Sequence, residues 1–470
     1  MNKLNHAFQS WKPFACQHEI TFSPIQVFVF CVLGVDDTSR KTEMSNVRDY
    51  GAVGNGIVKD TRAIQAAIDA GGIVTFTPGV YLTGTLYLHS NSYLEIQAGA
   101  VILGSPDMED YNAADFVQQN VASKAEVTSG GHLIVAVECE NVTLTGGGGI
   151  DGNQPAFVNE VNEAAPFMYK RSMRPAQMIF FCECTNVHVS NLVLRNSPYW
   201  TCFLHGCEEV TITGLHIHSH AMVLNDDGID IDCCRRVTIS DCIIDTGDDS
   251  ITLRGSDVRL KKKRACEYIV VNNCVLTSRY ANAIRVGVGN GVIRCASFNN
   301  IVITGYRTAI SIVSNWSNDP KSSKGVDISE IDFSNIHSTA RRFLNLKLDN
   351  LSDGEAKTSA TIKDISIRNV RGTMELNNTV RGNGIGMVSG ITLDDIRLTN
   401  FGKGTASDKD FKGAWGHVST DASYEISNAK DVIIRNCKVV YPEDSKGWAC
   451  DCRITDADVS FENTTFNCQK

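Results

Sequence analysis

The sequence predicts an all-β fold: a single-stranded right-handed parallel β-helix, or solenoid, with a short N-terminal capping helix. Three observations predict it. A strand–turn–strand unit recurs from residue 141 onward, its spacing is irregular, and a polar residue returns at the turn. The unit reads NVHVSNLVL from Asn186, EVTITGLHI from Glu209, RVTISDCII from Arg236 and YIVVNNCVL from Tyr268, at spacings of 23, 27 and 32 residues. An irregular period around a fixed core is the mark of stacked coils. A propeller blade would need four antiparallel strands, more than this unit holds. The turn positions Asn191, Asp241, Asn273 and Asn300 could form a hydrogen-bonded ladder from coil to coil, while inward Val, Ile, Leu and Cys stack into one core.

Ahead of the repeat, VRDYGAVGNG (47–56) precedes DTRAIQAAIDA. In the latter Ala63, Ile64, Ala67 and Ile68 fall at helical spacing, and Asp60 or Thr61 stands ready to cap. Gly71-Gly72 ends that helix, and short β runs divided by Pro-Gly, Thr-Gly and Ala-Gly turns follow. A length of 470 residues would suggest about two or three compact domains. A solenoid escapes that count, because each repeat packs only on its neighbours. The expected division is therefore an N-terminal segment over 1–45, a possible signal peptide or disordered stretch, and a β-helix catalytic domain over 46–470. Ile25 to Val35 is almost wholly apolar but too short to span a bilayer. It fits a signal-peptide core, so a secreted or periplasmic protein with no membrane span is expected.

Net charge is −9, whereas a nucleic-acid binder usually carries a basic excess. No nucleic-acid partner is expected, and the basic run Lys261 to Arg264 reads as a solvated loop. The 17 cysteines show no paired CxxC spacing of a zinc site. Cys242 and Cys274 lie in apolar runs and read as small buried hydrophobes, while Cys450, Cys452 and Cys468 could include a terminal staple.

The chemistry concentrates in two acidic segments, NDDGIDID (225–232) and TGDDSITLR (246–254). Asp227 and Asp248 are 21 residues apart, about one coil, and are expected to stack on one sheet face with Asp249 turning into the same cleft. Crowded carboxylates repel, so at least one pKa should rise. A raised carboxyl can donate a proton while its neighbours remain bases, and glycoside hydrolysis needs that division of labour. Turn chemistry and a calcium site are the competing readings of such a cluster. Asp226, Asp230 and Asp232 are assigned to turns, and no metal is expected.

At these residues the sequence resembles glycoside hydrolase family 28, the polygalacturonases and their pectin-degrading relatives, over roughly 46–440. The family's N-T-D motif is present as Asn225-Asp226-Asp227, with Asp226 in place of threonine. Its G-D-D motif is intact as Gly247-Asp248-Asp249, and Asn196 to Trp200 looks like its N-S-P-x-W. The resemblance implies an inverting hydrolase without metal or organic cofactor. Asp248 would be the general acid, and Asp227 with Asp249 would hold and deprotonate the attacking water. Two departures stand out. Asn282 occupies the place of the histidine of the G-H-G motif, and Ser311 and Val313 occupy the places of both cations of the R-I-K motif that clamps the galacturonate carboxylate. Arg285 or Arg254 could compensate from neighbouring coils.

Asn225, Asn282, Arg285, Arg254, His220 and Trp200 are accordingly the candidate substrate-binding residues. His218 and Trp316 are weaker candidates. The expected function is cleavage of O-glycosidic bonds in a pectin-like or related polysaccharide or oligosaccharide. The alternatives are a carbohydrate-binding β-helix without hydrolysis, suggested by the missing cations, and a polysaccharide lyase or epimerase on the same architecture.

Overall fold

The structure is a computed structural model that describes residues 44–469, apart from 114, 166–167, 306, 317–324, 351–358, 385–386 and 404–420. The apolar run 25–35 lies outside the described residues. Coil follows coil as expected. Ile179–Cys182, Thr185–Ser190 and Val193–Arg195 make one turn, and Cys202–His205, Glu208–Thr213 and His216–His218 make the next. Each strand pairs in parallel with its counterpart one coil on, as in Ile179↔Cys202 and Val187↔Val210. The coils are right-handed, as parallel crossovers almost always are.

The turn that separates two strands in a coil needs a left-handed residue, which Asn and Asp tolerate better than most. Asn191, Asp241, Asn273 and Asn300 hold φ values of 54°, 57°, 55° and 53°. The ladder forms along part of this row: Asn273 donates to Asp241 at 3.3 Å and Asn300 to Asn273 at 2.8 Å. Between the turns Val187, Val210, Val237 and Ile269 stack rung on rung, all buried. Each such side chain contributes roughly 1.5–3 kcal/mol.

The helix Thr61–Ala70 caps the first coils and buries Ile64, Ala67 and Ile68. Asp60 is its N-cap residue but makes no capping bond. Its carboxylate accepts the Val53 and Gly54 N–H groups instead, tying the preceding loop down. Met44–Asn46 already pairs with Ile73–Thr75, so the sheet begins just before the expected boundary at 46. Cys242 and Cys274 are buried as expected, and Cys450 and Cys452 carry free thiols, so among the described residues these two form no staple. Cys452 stacks in register on Cys468. No helix among the described residues is long and apolar enough to cross a membrane.

Among the described residues, one sheet holds thirteen strands in a single file, and the clustered acids lie just ahead of its strands Ile229–Asp232 and Ile251–Gly255. Ile229 and Ile231 point into the core, so Asp230 and Asp232 point out. They are strand residues rather than turn residues, which corrects that part of the expectation.

Candidate active site

Coil length decides which aspartates meet. Ile229 pairs with Ile251, an offset of 22 residues. Carried back past the strand ends, that register sets Asp227 beside Asp249 and Asp226 beside Asp248. The Gly228 N–H donates to the Asp249 carbonyl at 2.9 Å, as this register requires. The expected stacking of Asp227 on Asp248 is therefore one residue out. The cluster forms nonetheless: one oxygen from each of Asp227, Asp248 and Asp249 lies within 4.8 Å of the others. Such spacing would admit a hard cation, but clustered carboxylates alone do not make a metal centre.

Two short segments interlock to hold the carboxylates. The Asp226 carboxylate accepts the Gly247 N–H at 3.0 Å and the Asp248 N–H at 2.8 Å. In return the Asp248 carboxylate accepts the Asn225 N–H at 3.1 Å and the Asp249 N–H at 3.0 Å. A Cβ at Gly247 would lie 2.7 Å from Asp226 Oδ1 and 2.8 Å from the Val223 carbonyl, so only glycine fits this turn. Asp227 Oδ1 is buried and makes no hydrogen bond to protein.

Burial raises the acids, and their mutual repulsion adds to it. Asp227 is held well above the usual carboxylate range by burial and then by Asp248, Asp230 and Asp249, with Arg254 opposing. Burial and then Asp249 push Asp248 up to about 7, against the lowering effect of its two N–H donors. Asp249 is raised by burial, with Arg285 and Asn282 opposing. Asp226 is pushed to about 8 by burial and the Asp248 charge. Of the three clustered acids, Asp248 keeps the clearest opening to solvent.

The other candidates divide. Asn282 reaches the cluster, donating to Asp249 Oδ1 from its backbone at 2.9 Å and its side chain at 2.6 Å. Arg285 also faces Asp249 and donates to Ser311 Oγ at 3.3 Å. Arg254 is no surface arginine. It pairs with Asp230 at 3.0 Å and lies 4.2 Å over the Trp200 ring. With Tyr199 also stacked on it at 4.9 Å, Trp200 is committed to protein neighbours rather than free for a sugar. Asn225 turns its side-chain oxygen to Arg174 and meets Asp248 only through its backbone. His220 is exposed, packs on Tyr169 and accepts the Met222 N–H, and none of its described contacts reaches the acids. His218 faces Asp245 at 3.6 Å. The Trp316 side chain lies outside the described residues.

Several residues at the site escaped the sequence reading. Arg174, fully buried, donates to the carbonyls of Pro198 and Leu224 and to Asn225, joining the loops that flank the acids. The Tyr199 hydroxyl donates to the Glu126 carboxylate, whose charge also bears on Asp248. Nothing in the sequence marks Glu126, which arrives from a loop far upstream. Lys347 stands one coil beyond Val313, in register with it.

With this geometry in hand, residues 95–266, which contain both acidic segments, match the family model described as glycosyl hydrolases family 28. Over those residues the chain is similar to that family. Curated relatives include a probable polygalacturonase of Vitis vinifera, 26% identical over 53% of this chain and 52% of its own length. An exo-poly-alpha-D-galacturonosidase of Dickeya chrysanthemi is 24% identical over 56% of this chain and 51% of its own length. The chain thus spans about half the length of these two relatives. Among solved structures, the Yersinia enterocolitica family 28 exopolygalacturonase superposes with a TM-score of 0.69 at 19% identity, covering 89% of this chain and 78% of that one. That likeness shows the shared fold.

Proposed function

We propose that this chain is a glycoside hydrolase that cleaves O-glycosidic bonds in a pectin-like polysaccharide or its oligosaccharides. The observation that carries the reading is the convergence of Asp227, Asp248 and Asp249, with a buried oxygen of Asp227 left for a water or substrate group. Buried polar atoms are rarely left unpaired. Asp248 is the general acid: it retains a proton near neutral pH and opens to solvent. Asp227 and Asp249 hold the attacking water, and Asp249 takes up its proton. Arg285 and Asn282 favour the ionised form of Asp249, as a base requires. The β-helix catalytic unit runs over the solenoid, and the protein works outside the cytoplasm, where the polymer is found.

Inversion is the stereochemistry that the family resemblance implies. An inverting acid and base usually stand about 6.5–9.5 Å apart, and a retaining pair about 5–5.5 Å. The anomeric form of the first product, followed by NMR, separates the two.

The reading is tested by Asp248→Asn, assayed for reducing ends across a panel of polysaccharides. Turnover should fall by at least about 10²-fold, the scale of a lost general acid, with the thermal midpoint retained. A folded variant of undiminished activity would sink the assignment. Binding without turnover by the parent protein would favour the non-hydrolytic alternative, and unsaturated products absorbing in the ultraviolet would favour a lyase.

A further inference from the structure

Outward positions on the thirteen-stranded sheet change character across the acids. On the preceding coils they are apolar and covered: Phe180 and Phe203 pack with Val135, Leu260 and Phe116. On the following coils cations appear among them. One outward row runs from Thr252 to Arg285, Ser311 and Asn345, and the adjacent row from Gly287 to Val313, Lys347 and Arg381. Ser311 and Val313, side by side on one strand, are uncharged, but a cation stands in register with each. Arg285 is one coil before Ser311 and bonds its hydroxyl at 3.3 Å. Lys347 is one coil after Val313.

We propose that Arg285 and Lys347 form a subsite for the carboxylates of an acidic sugar chain, with the cationic pair split across two coils instead of sharing one strand. The inference rests on the reading above that a sugar chain lies along this sheet. Adjacent parallel strands are about 4.8 Å apart, so the two cations rise from strands separated by about 10 Å. The forward reach of Arg285 over Ser311 shortens that gap. Both residues are 8% exposed. In so dry a setting a charge-assisted bond to a carboxylate is worth more than at an open surface. The chain's net charge of −9 offers a polyanion no general attraction, so recognition has to be local. On the other side the aromatic wall stands, and Arg254 and His205 there are already matched by Asp230 and Asp232, which leaves the Arg285–Lys347 side as the place for charge.

The test uses trigalacturonate and its fully methyl-esterified counterpart as probes, bound to the full chain and followed by calorimetry at low salt. Lys347→Met should weaken trigalacturonate binding by about tenfold, the scale of one charge-assisted bond. The ester should bind as before. Adding Val313→Lys to that variant, which returns the cation one coil toward Arg285, should restore most of the lost affinity. Thermal midpoints confirm that the variants fold. Equal trigalacturonate affinity in Lys347→Met, equal loss for acid and ester, or no binding of trigalacturonate by the parent would each overturn the subsite. Failure of the hydrolase reading is seen separately, as trigalacturonate that binds in this pattern while no polysaccharide in the panel is cleaved.

Discussion

At Asp226 the chain carries a carboxylate where the family motif has threonine, and the structure shows what it does. A threonine hydroxyl could accept one N–H. The carboxylate accepts two, from Gly247 and Asp248, and so holds the backbone of the acid itself. It also has a measurable thermodynamic signature. Burial raises Asp226 from 3.8 to about 8 and Asp248 from 3.8 to about 7. Between those limits the folded protein holds protons that the unfolded chain has released. Stability from these groups is therefore intact below pH about 4 and is lost as pH rises through about 7 to 8. The thermal midpoint should fall between pH 5 and pH 8.5, and Asp226→Asn should flatten that fall. The same variant presents an amide N–H₂ to one backbone N–H, which should cost about 1–3 kcal/mol at pH 7. A midpoint that falls as steeply in the variant as in the parent would count against the assignment. Asp226 was legible in the sequence only as a turn residue, because the register that brings it to Asp248 depends on coil length.

Coil length is a property of elements, and there the sequence was readable to within a residue. The repeat disclosed the β-helix without any motif, since strand–turn–strand units with inward Val and Ile have few other ways to bury both faces. The distance of 21 residues between Asp227 and Asp248 suggested stacking, but the strands pair at an offset of 22. A one-residue difference changes which neighbour a side chain meets, and it explains why Asp249 and Asp226 take the partners first given to others. The acids were legible because they lie close in sequence. Arg174, Tyr199 and Glu126 were not, because loop partners carry no periodic signal. Lys347 was hidden for another reason: its significance appears only when three successive strands are laid in register. The turn ladder makes its own prediction. Asn273 holds φ of 55° and bonds Asp241, while Asn300 bonds it in turn. Asn273→Ala should destabilise by about 1–2 kcal/mol, the cost of a left-handed alanine. Asn273→Gly should lose less, leaving mainly the ladder bonds as its deficit. Equal thermal midpoints for the two variants would assign the whole effect to the ladder.

Across the whole molecule the sheet beside the acids is closed on one side. Phe116 and Leu260, from loops on either side of the preceding coils, meet over Phe180 and Phe203. The two loops are also tied through Glu183, which accepts from Gln119 at 2.6 Å and from the Lys262 N–H at 2.7 Å. Trp200, held against Arg254 and edge-on to Phe203, completes the wall beside Asp227. A polymer lying along the outward row would meet this wall directly past the acids. It could extend only toward Arg285 and Lys347. A long chain could then be engaged only near one of its ends, and cleavage should proceed from chain ends rather than at random. On a long pectic polymer the number of reducing ends should rise while solution viscosity stays nearly constant through early turnover, and small products of uniform size should accumulate. Random internal cleavage would instead collapse the viscosity after a few bonds per chain. That outcome would mean that the Phe180–Phe203 wall opens to let substrate through, and trimming it with Phe203→Ala would then leave the product pattern unchanged.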